Sequence, residues 1–133
     1  MSVIKVLTLR EPWASLIGEG IKVIETRSWR TNYRGELYIH AGCSPLPRKD
    51  KRMELLPQIM TGSFHFGTIF LKCQLIDCVP ITNEFSEKEK KNNPSNFLWG
   101  DYSDGRYAWI LKDIQAIDPI PAKGRLGLWS IEI

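Results

Sequence analysis

The residues best suited to chemistry lie in one short segment, residues 20–30, where charges of both signs interrupt an apolar stretch. Side chains alternate along an extended chain, so Glu25 and Arg27 share one face. A carboxylate and a guanidinium at that spacing can pair, and the remaining N–H groups of the arginine suit a planar anion or a base edge. The segment predicts either a structural ion pair or a binding site, with Lys22 and Arg30 adding positive charge.

The elements before this segment are predicted to be a strand and a short helix, and the segment is expected to follow directly from the end of that helix. Residues 3–9 read as a first strand, and Pro12 stands where the first turn of a helix tolerates proline. An apolar helical face follows at the spacing i, i+3, i+4, formed by Trp13, Leu16 and Ile17. Two glycines, at 18 and 20, mark its end, and a second strand is expected over residues 21–28. Trp13 is interpreted as core rather than as a ligand platform.

The loop after the second strand, residues 29–35, supplies further candidate ligand-binding side chains. They are Trp29, Arg30, Tyr33 and Arg34. A third strand over residues 36–41 alternates, with Leu37, Ile39 and Ala41 on one side and Tyr38 and His40 on the other. His40 is a candidate site residue, either as a structural hydrogen-bonding group or as a base.

The second half of the chain is predicted to complete a sheet. The expected elements are an amphipathic helix within 44–60 that carries the basic run 48–52, and a long strand over 66–80 with Ile69, Leu71, Cys73 and Leu75 facing inward. A polar surface insertion with one or two helical turns is expected over 83–96. A strand over 106–117, a connector over 120–124 and a last strand over 126–133 follow. The aromatic loop 97–105 contains Trp99 and Tyr102. These two rings either stack on a base or cap the end of a barrel.

Length and composition are those of one globular domain, residues 1–133. Residues 1–52 hold ten Lys and Arg against five Asp and Glu, whereas residues 53–133 hold eight against ten, so the positive charge is concentrated in the first half. That asymmetry favours an anionic partner for the first half. Three cysteines without C-x-x-C spacing indicate neither a disulfide framework nor a zinc site, and no cofactor is expected. The lack of a signal peptide and of a long apolar run predicts a cytoplasmic protein without membrane association, of unspecified oligomeric state.

Several blocks of sequence together resemble one family. Gly20, Lys22, Glu25 and Arg27 form the pattern G-x-K-x-x-E-x-R, which resembles the signature of ASCH domains. Residues 9–17 resemble the family block L-x-x-P-W-A-S-L-I, and the segments 27–29, 33–35, 37–41, 107–109 and 123–129 continue the similarity. The resemblance implies a mainly β fold with α-helices (α+β), a PUA-like small β-barrel of five or six strands with helices over its ends.

The resemblance and the charges lead to a first functional hypothesis. The protein is expected to bind RNA, single-stranded nucleic acid or a modified nucleoside in a cleft lined by the motif. The alternative is a hydrolase, either a ribonuclease or an amidohydrolase of a modified nucleoside, with Lys22 and Glu25 as candidate catalytic residues. A third possibility is a domain that binds partner proteins through residues 83–96.

The amidohydrolase version of the alternative meets a departure from the family pattern. Some ASCH members resemble amidohydrolases of acylated cytidine, with a threonine nucleophile three residues after the lysine. Here Glu25 occupies that position, and Thr26 is one place too far and is expected on the other face. We therefore expect no deacetylation of acetylated cytidine by this chain.

Overall fold

The computed structural model describes residues 2–133, and its centre is a six-stranded sheet that curls into a half-barrel. The strands are β1 (Val3–Leu9), β2 (Ile24–Arg27), β3 (Gly35–Ala41), β4 (Thr68–Pro80), β5 (Tyr107–Pro121) and β6 (Leu128–Glu132). Their order is β2-β5-β4-β3-β1-β6, and only the β1/β3 pair is parallel. The predicted α+β class with a curled sheet of five or six strands is confirmed.

Short helices cover the sheet and connect its strands. They are α1 (Trp13–Gly18), a 3₁₀ helix (Lys51–Leu55), α2 (Leu56–Ile59), α3 (Asn83–Asn92) and α4 (Pro94–Leu98). The predicted apolar face of α1 is confirmed, since Leu16 and Ile17 are fully buried. Gly20, with φ +78°, lets the chain turn back sharply after α1, and a side chain there would be strained. This turn brings Lys22 and the short edge strand β2 next to the helix end.

The core lies between the concave face of the sheet and α1. Along β4 the predicted inward residues Ile69, Leu71, Cys73 and Leu75 are all buried, which confirms the period-two pattern of that strand. Leu71, Cys73 and Leu75 pack with apolar residues of β1, β3 and β5 in one cluster, and Ile69 packs in a second cluster with residues of β1 and β6. The core therefore holds β5 firmly, and β5 in turn carries the edge strand β2 through four paired positions.

Three predictions about the elements were wrong in part. The polar segment 83–96 forms a ten-residue helix and most of a second one, and it contributes the buried Asn96. The helix expected within 44–60 begins only at Lys51, because residues 44–50 contain two prolines that leave the chain extended or turning. Strand β5 continues to Pro121, four residues beyond the predicted end, since it stays paired with the start of β4.

Two further features concern membranes and thiols. Among the helices of residues 2–133, none has the length and apolarity required to cross a bilayer. The three cysteines are free thiols, of which Cys73 and Cys78 are buried and Cys43 is exposed.

Candidate functional site

A cleft of about 260 Å³ opens beside β2, at the edge of the sheet nearest α1. Three segments that are distant in sequence contribute to its wall in addition to β2 itself. The lining residues are Arg10, Trp13, Glu25, Thr26, Arg27, Arg52, Trp99, Gly100, Asp101 and Arg106. The cleft thus combines four guanidinium groups, two carboxylates and two indole rings.

Glu25 lies at the centre of a chain of charges that begins below the cleft. Lys22 is fully buried, and its Nζ donates a hydrogen bond to the Ile24 carbonyl at 2.6 Å. The same Nζ lies 3.6 Å from Glu25 Oε1, while Arg27 Nη1 donates to Glu25 Oε2 at 3.1 Å. Each carboxylate oxygen therefore faces one cation, which fixes the orientation of the carboxylate.

Burial dominates the electrostatics of Lys22. Its removal from water lowers the pKa of the ammonium group below the ordinary value, and the nearby Glu25 carboxylate partly opposes this. The positive charge of Arg52 lowers the pKa further. A fully buried lysine does not contact a ligand in the cleft. Its chemical role is to hold the Glu25 carboxylate in place from below.

Arg27 is held by stacking as well as by its ion pair. Its guanidinium carbon lies 5.3 Å from the ring centroid of Trp29 and 6.0 Å from that of Trp109. The two rings meet edge to face, with centroids 4.8 Å apart. Such cation–π contacts favour one orientation of the guanidinium. Trp29 therefore supports Arg27 from outside the cleft lining.

Arg52 forms another wall and is almost fully engaged. Its Nε and Nη2 bind the Asp50 carboxylate, and Nη1 donates to the Leu98 carbonyl at 2.8 Å. The guanidinium carbon lies 5.5 Å from the ring centroid of Trp13 and 5.6 Å from that of Trp99. The hydrogen bonds from Arg52 also lower the pKa of Asp50. Arg52 thus ties the 3₁₀ helix to the end of α4 and presents a fixed planar group between two indoles.

The loop after α4 closes the cleft over β2. The Asp101 N–H donates to Thr26 Oγ1 at 2.9 Å, and Arg106 Nη2 donates to the Thr26 carbonyl at 3.1 Å. Thr26 was expected to face away from the motif, yet it also lines the cleft because this loop packs against it. A Cβ at Gly100 would lie 2.4 Å from Tyr102 Cε1, so only glycine fits there. The Ser103 hydroxyl lowers the pKa of Asp101.

Asn96 fixes the start of β2 from the side of α4. Its Oδ1 accepts hydrogen bonds from the N–H groups of Val23 and Ile24, at 3.0 and 3.1 Å. Its Nδ2 donates to the Tyr102 hydroxyl at 2.8 Å. Tyr102 is buried against Phe97, and this burial raises the pKa of its hydroxyl. Tyr102 therefore packs behind the motif and is not a stacking surface in the cleft.

The structure brings only some of the sequence-predicted residues together. Glu25, Arg27 and Trp99 line the cleft, and Lys22 and Trp29 contact those residues from outside it. Two others have separate partners: Tyr33 donates to the Glu36 carbonyl, and Arg34 binds Asp77 and backbone carbonyls.

His40 and Arg30 also lie outside the cleft lining. His40 is buried between Thr8 Oγ1, at 3.2 Å from Nδ1, and the Ala122 carbonyl, at 2.7 Å from Nε2. It meets Trp129 edge to face, so its surroundings are those of a structural histidine. Arg30 is exposed on the loop between β2 and β3.

Sequence reasoning singled out three of the ten lining residues, Glu25, Arg27 and Trp99. Arg10, Asp101 and Arg106 lie in three different segments, and Trp13 had been interpreted as core. The single local signal was the position of Arg10 and Trp13 on either side of Glu11-Pro12, inside one of the family blocks. Residues 2–133 contain no group of three or more His, Cys, Asp or Glu side chains arranged to hold a metal ion.

Comparison with known proteins identifies the family. The family model of the ASCH domain matches residues 7–121. The chain belongs to the ASCH domain family. It is 30% identical over 129 residues to activating signal cointegrator 1 from mouse and from human, a match that covers 95% of this chain but 22% of each relative. The chain thus spans about a fifth of the length of these curated relatives.

Solved ASCH structures share the fold. The crystal structure of ASCH from Zymomonas mobilis superposes with a TM-score of 0.56 at 16% identity, over 88% of this chain and 72% of that one. A point mutant of the same bacterial protein gives the same score and identity and covers 74% of its own chain. At this identity the likeness concerns the fold alone.

Proposed function

We propose that this ASCH domain binds single-stranded RNA, or a nucleotide unit of it, by taking one base into the cleft beside β2. The observation that carries the proposal is the composition of the cleft: an oriented Glu25 carboxylate, the partly exposed Trp13 indole beside the Arg52 guanidinium, and arginines at its rim. Bases of single strands are recognised by stacking on aromatic or guanidinium planes and by hydrogen bonds to their edges. The family assignment supports the same class of partner.

The size of the cleft suits one unit of a nucleic acid. Drug-sized ligands occupy pockets of roughly 300–1,000 Å³. At about 260 Å³ the cleft is smaller than such pockets, which favours a single base inside it, with the sugar at the mouth and neighbouring nucleotides across the surface.

Two arginines at the cleft keep donors available for phosphate. Arg10 uses Nε and Nη2 on the Pro45 carbonyl, and Arg106 uses the same two nitrogens on the carbonyls of Asp101 and Thr26. Within residues 2–133, Nη1 of both side chains has no hydrogen-bond acceptor. Guanidinium groups with spare N–H donors suit phosphate oxygens.

The hydrolase alternative has less support from the geometry. The ammonium group of Lys22 is engaged by the Ile24 carbonyl and is fully buried, so it is not within reach of a substrate in the cleft. Glu25 is held between two cations, which fixes its carboxylate in place as a hydrogen-bond acceptor. Binding without turnover is the simpler role for this pair.

We also propose that residues 1–133 act as one domain in the cytoplasm. One sheet uses strands from Val3 to Glu132, and the cysteines are free thiols, as is usual in a reducing compartment.

The test is binding of a fluorescein-labelled single-stranded RNA of mixed sequence, followed by anisotropy at several salt concentrations. With phosphate contacts from Arg10 and Arg106 at roughly 0.7 each, the slope of log K against log salt should be about −1.4. Arg10→Gln should weaken binding and reduce the slope by roughly 0.7. Arg34→Gln is the matched control, because Arg34 is equally exposed and lies outside the cleft lining. Absence of binding, or equal losses in both variants, would refute the proposal.

A further inference from the structure

The floor of the cleft presents an ordered row of hydrogen-bonding groups. Lys22 is fully buried and reaches no ligand, so the groups left to a ligand are the Glu25 carboxylate and the adjoining Arg27 guanidinium. Each Glu25 oxygen has one cation partner and keeps further acceptor capacity. In the described part of the chain, only Nη1 of Arg27 has an acceptor. The row therefore reads acceptor, acceptor, donor.

We propose that the cleft selects guanine, whose Watson–Crick edge carries the complementary row. Its 2-amino group and N1–H are two adjacent donors, and O6 beside them is an acceptor. The two donors match the two oxygens of Glu25, and O6 matches a spare N–H of Arg27. This inference rests on the proposed binding of a base in the cleft and specifies which base is bound.

The other bases complete fewer of these contacts. Adenine and cytosine each place one amino donor beside a ring-nitrogen acceptor, so they satisfy one Glu25 oxygen and Arg27 and leave the second oxygen unmatched. Uracil has a single N–H donor flanked by two carbonyl oxygens, so one of its acceptors faces a carboxylate oxygen. The expected order is guanine first, adenine and cytosine next, and uracil last.

The walls of the cleft fit a flat purine. The partly exposed Trp13 lines it together with the Arg52 guanidinium, whose orientation is fixed by Asp50 and by the Leu98 carbonyl, whereas the buried Trp99 supports Arg52 from behind. Gly100 also contributes to the lining. Planar rings stack on indole and guanidinium faces with little dependence on which base is present. The walls therefore provide affinity, and the Glu25–Arg27 edge provides selectivity.

The test uses the ligand as the variable, so that it does not depend on the folding of any mutant. Binding of GMP, IMP, AMP, CMP and UMP to the natural protein is measured by isothermal titration calorimetry. GMP should bind most tightly, and IMP, which lacks only the 2-amino group, should bind roughly tenfold more weakly. Single-stranded RNA heptamers with one central guanosine or inosine repeat the comparison within a strand and distinguish a strand ligand from a free nucleotide.

A protein variant then locates the selectivity. Glu25→Gln should reduce the GMP/IMP ratio to about one, whereas Glu36→Gln, a surface carboxylate paired with Lys72, should leave it unchanged. Far-UV circular dichroism verifies that each variant is folded. If CMP or another nucleotide binds as tightly as GMP, the guanine assignment is wrong while the proposed cleft function stands. If neither nucleotides nor RNA bind the natural protein, both fail together.

Discussion

Lys22 is the residue on which the geometry of the motif depends. Burial of an ammonium group destabilises the folded state unless the group is paired. The buried Lys22 ammonium is paired with the Ile24 carbonyl and with Glu25. The contact between Lys22 and Glu25 fixes the orientation of the Glu25 carboxylate at the cleft. Removing Lys22 would leave Glu25 with Arg27 as its single cation partner, and removing Glu25 would leave the buried Lys22 ammonium with the Ile24 carbonyl alone. Removing both would leave neutral groups at these two positions.

This dependence can be measured with a double-mutant cycle of Lys22→Met and Glu25→Gln. Breaking a buried pair from one side should cost about 3–5 kcal/mol of unfolding free energy for Lys22→Met, since Glu25 is then left with Arg27 as its single cation. The double variant should lose less than the sum of the two single losses, with a coupling on the order of 1–3 kcal/mol. Urea unfolding of the four proteins provides the free energies.

The matched control is the Lys72–Glu36 pair on the surface, whose side chains are 38% and 46% exposed. Its cycle should give a coupling of about 0–1 kcal/mol, because water screens the pair. Equal couplings for the two pairs would contradict a structural role for Lys22 in orienting Glu25.

Among the elements, the pair α3 and α4 has a larger role than its polar sequence predicts. Asn96 bonds the two N–H groups that lead into β2, and it does so across more than 70 positions of sequence. Strand β2 has four residues and is an edge strand, so its position depends on such external anchors. The segment that was interpreted as a surface insertion therefore holds the motif in place.

Asn96→Leu tests this anchor. The variant removes the acceptor for Val23 and Ile24 and the donor to Tyr102, so the unfolding free energy should fall by about 1–3 kcal/mol for each buried group left without a partner. Hydrogen exchange followed by NMR should show faster exchange at residues 23–27 than elsewhere in the sheet. Asn92→Leu, on the exposed end of α3, is the control. Uniform acceleration over all strands would mean that Asn96 acts on global stability and not on β2.

The contrast between β4 and Asn96 shows what the sequence alone can predict. In β4 the alternation of apolar residues directly reports which side is buried, because a strand places every second side chain on one face. The Glu25–Arg27 contact was predicted for the same local reason. The length of α3 was underestimated because its sequence has no apolar stripe, and its helical start is set by a Thr82 cap that binds the Phe85 N–H. The partners of Asn96 come from tertiary packing, which local periodicity does not encode.

The cleft depends on the fold of the whole molecule. Its walls come from the segment after β1, from β2, from the 3₁₀ helix and from the loop before β5. Arg10, Arg52 and Arg106 are separated by more than 40 residues each and meet only in the folded chain, where the pairing of β2 with β5 places Arg106 beside Thr26. The sequence spacing predicted the Glu25–Arg27 pair at the centre of the cleft. The arginines at its rim could be identified only from the fold.

Global stability should respond to alkaline pH through groups that the core keeps neutral. Burial raises the pKa of the Cys73 thiol from 9.0 to about 12, and it also raises the pKa of Tyr102. Above pH 9 the unfolded chain releases the Cys73 proton while the folded chain retains it. The stability that depends on this neutral thiol is complete below pH 9 and is lost progressively as the pH rises toward 12. The lowered pKa of Lys22 acts in the opposite direction below 10.5, so the thiol contribution must be isolated by mutation.

The variant Cys73→Ala isolates the contribution of this thiol to the pH dependence of stability. Between pH 9 and 11 the unfolding free energy of the natural protein should fall more steeply than that of the variant, by up to about 1.4 kcal/mol per pH unit, because one proton fewer is linked to unfolding in the variant. Urea unfolding at pH 8, 9, 10 and 11 measures both slopes. Cys43→Ala is the matched control, since the Cys43 thiol is exposed in the folded chain as it is in the unfolded one. Parallel plots of unfolding free energy against pH for the natural protein and Cys73→Ala would show that water reaches Cys73 before the protein unfolds. In that case the concave face of the sheet opens locally, and the packing behind the cleft is looser than its burial indicates.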